Sequence, residues 1–110
     1  MSGVAPGVES LQFELPGSRA AGAFGPILVG VVGSGNLEVL LEARAGQTCL
    51  FEVETSARGF GAIWEAVVRD FQQQHALAGV QVSIHDMGAT PAVVALRLAQ
   101  AVAELPGVQP

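Results

Sequence analysis

Lysine is missing from the chain, and its five basic residues are the arginines Arg19, Arg44, Arg58, Arg69 and Arg97, scattered without a cluster. Against ten acids they leave a formal net charge of −5. Affinity for nucleic acid comes largely from Lys and Arg neutralising phosphates, so no DNA or RNA partner is expected. Cysteine occurs once, at Cys49, which excludes an internal disulfide. No stretch reaches the roughly 18 uninterrupted apolar residues of a membrane-spanning helix. The most apolar run, residues 24–32, is short and broken by Gly25, Pro26 and Gly30. The first residues carry neither the basic start nor the long apolar run of a secretion signal, so a cytoplasmic protein without a membrane partner is expected. Histidine occurs only at His75 and His85, with no spacing that joins them to other ligands, so no metal site is expected.

Half of the 110 residues are apolar and only 14% are charged, a composition that suits one globular core. Residues 1–8 lack any period and read as a loose tail, leaving 9–106 as a single domain. A short strand over 10–15 ends at Pro16-Gly17, and the β-branched segment 26–32 reads as a buried strand. The four turn formers Gly33-Ser34-Gly35-Asn36 follow. Strands are expected again over 37–44 and 48–55, with a turn between them. In the latter, Cys49, Phe51 and Val53 share one face and Glu52 and Glu54 the other. From Gly59 the period changes to that of a helix, with Phe60, Ile63, Val67 and Phe71 as its apolar stripe and Glu65 four residues before Arg69. A strand over 80–85 alternates Val80, Val82 and Ile84 with Gln81, Ser83 and His85. Thr90-Pro91 then opens a second helix, whose stripe is Val94, Leu98, Ala101 and Leu105 and which ends at Pro106-Gly107. The expected fold is α+β: a two-layer sandwich in which two helices cover one face of a largely antiparallel sheet.

Candidates for catalysis are few. Ser34, His85 and Asp86 could be imagined as a nucleophile, base and orienter, but adjacent strand residues point to opposite faces. Cys49 shares a face with Phe51 and Val53, and burial among apolar neighbours disfavours a thiolate. Glu38 and Glu42 share a strand face without forming an acid/base pair, and Glu52 and Glu54 are most simply a solvated face. Trp64 adjoins the first helical stripe, as core or as the rim of an interface. No catalytic residue is assigned. Gly33-Ser34-Gly35 is neither a P-loop nor a dinucleotide fingerprint. By itself it is an ordinary hairpin turn, with a hydroxyl that two glycines leave accessible to a modifying enzyme.

The run Val29-Gly30-Val31-Val32-Gly33-Ser34-Gly35-Asn36-Leu37-Glu38-Val39-Leu40-Leu41-Glu42 closely resembles the segment around the modified serine of malonate decarboxylase acyl-carrier (delta) subunits. The likeness continues through Thr55-Ser56, Arg58-Gly59 and Trp64. It sharpens again at Ile84-His85-Asp86-Met87-Gly88-Ala89-Thr90-Pro91, with Val93, Val94, Leu96, Arg97 and Leu98 beyond, and spans roughly residues 10–105. Asn36 stands where the family usually has aspartate, and Met87 where it usually has phenylalanine.

The resemblance implies a non-catalytic carrier subunit of a multisubunit malonate decarboxylase. Ser34 matches the serine that carries 2′-(5″-phosphoribosyl)-3′-dephospho-coenzyme A through a phosphodiester, a covalently bound arm ending in a thiol that holds acetyl and malonyl groups as thioesters. Implied partners are the acyl-transferase and decarboxylase subunits and the enzyme that transfers the prosthetic group. The citrate lyase carrier bears the same type of group, but its serine typically follows glutamate where Ser34 follows Gly33. Phosphopantetheine carriers are helical bundles with Asp before the serine. A small ligand-sensing or subunit-assembly domain, with Ser34 a plain turn residue, is the alternative from another class.

Overall fold

The computed structural model describes residues 8–31 and 34–106. In chain order the elements are β1 (Glu9–Pro16), β2 (Arg19–Ala20), β3 (Ile27–Val31), β4 (Ser34–Ala43), β5 (Thr48–Thr55), α1 (Gly61–His75), β6 (Leu77–Ala78), β7 (Val80–Asp86) and α2 (Pro91–Ala103). Five strands form one sheet in the order β1-β5-β7-β4-β3, and β2 and β6 make a separate two-residue parallel ladder. Pairing in the large sheet is antiparallel except between β5 and β7, which run parallel because α1 carries the chain across the sheet between them. The two-layer α+β sandwich expected from the pattern is the fold observed.

Period-two alternation decides which face each strand buries. Leu37, Val39 and Leu41 of β4, Cys49, Phe51 and Val53 of β5, and Val80, Val82 and Ile84 of β7 are all buried on the helix side. The opposite face carries Gln12, Glu14, Glu38, Glu42, Glu52, Glu54, Gln81, Ser83 and His85, with Leu40 and Leu50 among them. None of these is buried.

The helices contribute Trp64, Val68 and Phe71 from α1, and Val94, Leu98, Ala101 and Val102 from α2. Phe71 meets Phe51 edge-on, with ring centroids 5.7 Å apart. The buried stripe of α1 is therefore Trp64–Val68–Phe71, rotated from the expected one; Phe60 and Ile63 are exposed. Two further expectations are corrected. Within the segment 26–32, Ile27–Val31 forms an edge strand rather than a buried one, with Leu28 56% exposed. Of the turn expected over 33–36, Ser34, Gly35 and Asn36 belong to β4 instead, and residue 33 lies outside the described residues.

Polar groups that the core encloses find partners. Gln72 of α1 is buried, donates from Nε2 to the Pro16 carbonyl (2.9 Å) and the Leu77 carbonyl (2.8 Å), and accepts from the Leu77 N–H (3.1 Å). It thereby ties the end of α1 to β1 and β6. Gly17 has to be glycine, since a Cβ there would stand 1.8 Å from the Leu77 carbonyl oxygen. Thr90 caps α2 as expected, its Oγ1 accepting from the Val93 N–H at 3.3 Å, with Pro91 at the first helical position. The tail expected over 1–8 lies, Val8 apart, outside the described residues.

Candidate functional site

One end of the sheet gathers the segments that the sequence singled out. β4 starts there at Ser34, which pairs with Val31 of β3 across the two intervening residues 32 and 33. Leu37 of β4 lies opposite Asp86, the last residue of β7, and Thr55, the last residue of β5, lies on the other side of Asp86. The connections 56–60 and 87–90 therefore meet at this end, beside the start of β4.

The β3–β4 hairpin is irregular close to Ser34. Register shifts between Val29 and Val31, so the pairs Val29↔Val39 and Val31↔Ser34 enclose more residues on β4 than on β3. Asn36 takes up the excess with a φ of 58°, a left-handed conformation that asparagine tolerates. Gly30 of β3 has a φ of 76°. A Cβ on Gly30 would stand 2.7 Å from the Leu37 carbonyl oxygen and 3.0 Å from Nε of Arg97. Glycine is thus required where the arginine of α2 packs against the hairpin.

Asp86 fastens the 56–60 and 87–90 connections to one another. Its Oδ2 accepts from Thr55 Oγ1 at 2.8 Å, and its Oδ1 accepts from the N–H groups of Gly88 (3.2 Å) and Ala89 (2.8 Å). The Ser56 N–H donates to the Asp86 carbonyl at 2.9 Å, and the Met87 N–H donates to the Asn36 carbonyl, also at 2.9 Å. Asp86 and Thr55 are both buried, and these bonds replace the water they lose.

His85 points the other way, onto the open face of the sheet. Its Nδ1 stands 3.2 Å from Glu38 Oε1 and its Nε2 stands 3.4 Å from Glu54 Oε1, so the ring bridges carboxylates of the two neighbouring strands. His85 and Asp86 therefore occupy opposite faces and form no base–orienter pair. Cys49 is buried, and the loss of solvation pushes its thiol up to about 12, against a smaller opposing pull from Arg44. His75 packs on Phe71, with ring centroids 4.7 Å apart, and burial holds it below the ordinary histidine value, assisted by Arg19. Among the described residues, no group of three or more His, Cys, Asp or Glu could hold a metal ion, and no helix is long and apolar enough to cross a membrane.

Beside Asp86 a cleft of about 240 Å³ opens between the first turns of α1 and α2. Phe60, Ile63, Trp64 and Val67 line one side, and Ala89 and Val94 the other. Sequence reasoning passed over this cleft and the Thr55–Asp86 bond. The signal for the bond was present, because alternation from Val80 and Cys49 puts Asp86 and Thr55 on the apolar face.

Residues 25–105 match the family described as malonate decarboxylase delta subunit (MdcD). The malonate decarboxylase acyl carrier protein of Burkholderia cepacia is 72% identical over 99 residues, covering 90% of this chain and 92% of that protein. This chain belongs to the malonate decarboxylase acyl-carrier family. The carrier of Acinetobacter calcoaceticus is 46% identical over 101 residues, covering 91% of this chain and 99% of its own. Among solved structures, a chain in the crystal structure of a Pseudomonas malonate decarboxylase hetero-tetramer in complex with malonate superposes with a TM-score of 0.78 at 38% identity. That match covers 88% of this chain and 98% of the other.

Proposed function

We propose that this protein is the non-catalytic carrier subunit of a cytoplasmic malonate decarboxylase, and that Ser34 bears 2′-(5″-phosphoribosyl)-3′-dephospho-coenzyme A through a phosphodiester. The observation that carries the reading is the setting of Ser34. It is the first residue of β4, at the tip of a hairpin, in a chain whose residues 25–105 match the carrier family. When bound, the group supplies a thiol, and a thioester made on it can accept as an enolate the electron pair that decarboxylation of malonate leaves behind.

The residues present fit such a group. Glycine flanks Ser34 on both sides in the sequence, and Asn36 and Gly30 adopt left-handed conformations just behind it. Arg97 lies against Gly30 and supplies a cation near the hairpin, suited to the phosphates of the arm. The bonds of Asp86 to β5 and the 87–90 connection, together with the Met87 N–H donated to the Asn36 carbonyl of β4, hold the base of the hairpin in place. The rest of the chain offers little chemistry: Cys49 is buried and protonated, and His85 faces two carboxylates on the open sheet. Partners implied by this reading are acyl-transferase and decarboxylase subunits and the enzyme that attaches the arm.

The test is co-expression with the cognate transfer enzymes, followed by intact and peptide mass. The expected result is a gain of the nucleotide mass on the peptide containing Ser34, and none in Ser34→Ala. A Ser34→Ala protein that still gained the mass, for example at Ser56, would place attachment elsewhere. The purified subunit should release no carbon dioxide from malonate until partner subunits are added.

A further inference from the structure

The cleft between α1 and α2 is not needed to attach an arm, yet it lies at the attachment end. Asp86 borders it and pairs with Leu37, three residues from Ser34 along β4. Three residues of extended chain and one step between strands put Ser34 within roughly 15 Å of that carboxylate. A chain built from ribose, phosphates and pantetheine spans more than this. At about 240 Å³ the cleft is smaller than the roughly 300–1,000 Å³ that encloses a drug-sized ligand. It has room for the end of such an arm and not for the whole.

The chemistry of the walls narrows the occupant further. Phe60, Ile63, Trp64 and Val67 present hydrocarbon, and Phe60 and Ile63 are 46% and 56% exposed at the rim. The one carboxylate at the cleft is Asp86, already accepting three hydrogen bonds from within the protein. Such a site welcomes a methyl thioester. A malonyl group would have to bring its own carboxylate out of water and beside Asp86, and both steps oppose binding. A second copy of the chain is a poor occupant. Two molecules at −5 repel, and the cleft offers no charge to offset that repulsion.

We propose that this cleft shelters the acetyl-bearing end of the arm and rejects the malonyl-bearing end, so that the carrier itself distinguishes its two loads. The inference rests on the reading of Ser34 as the attachment residue. Its effect is to hold the acetyl thioester away from water and to leave the malonyl form extended toward a partner.

Trp64 is the only tryptophan and lines the cleft, which supplies a readout independent of turnover. The experiment compares tryptophan emission of the apo, acetyl and malonyl forms of the purified subunit, after peptide mass has located the arm. Acetylation is expected to shift the emission, and the malonyl form to match the apo form. Hydroxylamine should cleave the acetyl thioester roughly tenfold more slowly than free acetyl-pantetheine, as it would if the arm spent about one part in ten of its time outside the cleft. Ile63→Asp, at an exposed rim position, should restore the faster cleavage. With the arm proven at Ser34, equal emission and equal cleavage for both loads would overturn the proposal. So would an emission change that appears only when a partner subunit is added, which would make the cleft a protein-docking surface. An arm found on another residue would overturn both this inference and the assignment of Ser34, and the peptide mass tells that case apart.

Discussion

At the level of single residues, the buried carboxylate of Asp86 matters more than any candidate nucleophile. Replacing it with alanine strands the Thr55 hydroxyl and two backbone N–H groups, and we expect a loss of about 2–4 kcal/mol in urea unfolding. Asp86→Asn keeps an acceptor for the N–H groups and should cost clearly less. Cys49→Ala should lose only about 1 kcal/mol, through a small cavity, and leave carrier function in the assembled complex unchanged. Because the folded state holds the thiol protonated to about 12, against a reference value of 9.0, Cys49 favours the folded state fully below pH 9. That contribution fades as pH rises from 9 toward 12, since the unfolded chain gives up the proton first. His75 acts at the other end of the scale. Its pKa is lowered from 6.5, so its contribution is present above that value and is lost as pH falls below it. Urea midpoints across pH for Cys49→Ala and His75→Gln, against the parent chain, separate the two.

Elements that obey a single local rule were legible in the sequence, and those decided by their neighbours were not. Alternation located β5 and β7 and their buried faces, and the Thr90-Pro91 pair located the start of α2. Thr90→Ala should therefore cost about 1 kcal/mol, visible as a lower thermal midpoint with an unchanged unfolding slope. The stripe of α1 was misjudged because Phe60 and Ile63 are apolar and spaced for a helix, yet face the cleft instead of the sheet. The segment 26–32 looked buried from its composition, whereas its place at the sheet edge depends on the strand order. Turn chemistry at Gly33-Ser34-Gly35-Asn36 suggests a four-residue turn, whereas Ser34, Gly35 and Asn36 belong to β4. Its expression as a bulge in β4 depends on Gly30 across the hairpin, a pairing that no local pattern reveals. Gly30→Ala should strain this hairpin. We expect slower attachment of the arm by the transfer enzyme, read by intact mass over time, alongside a lower thermal midpoint.

For the molecule as a whole, the two faces of the sheet have separate duties. One is closed by helices, and the other remains open and bears Glu14, Glu38, Glu42, Glu52 and Glu54, with His85 between two of them. With a net charge of −5, long-range attraction should speed encounter with basic partner surfaces. The association rate of the loaded subunit with its partners should then fall as ionic strength rises from low to physiological. A rate indifferent to salt would exclude steering. The order of strands has one more outcome, which concerns synthesis rather than binding. β7 lies at the middle of the sheet but is the last strand to be made, so β4 and β5 keep unpaired edges until residue 86 has emerged from the ribosome. The Ser34 hairpin is anchored by the same late strand. If Ser34 bears the arm as proposed, a chain cut short before β7 should gain it more slowly than the complete molecule, because its hairpin then lacks the strand that anchors the other edge of β4.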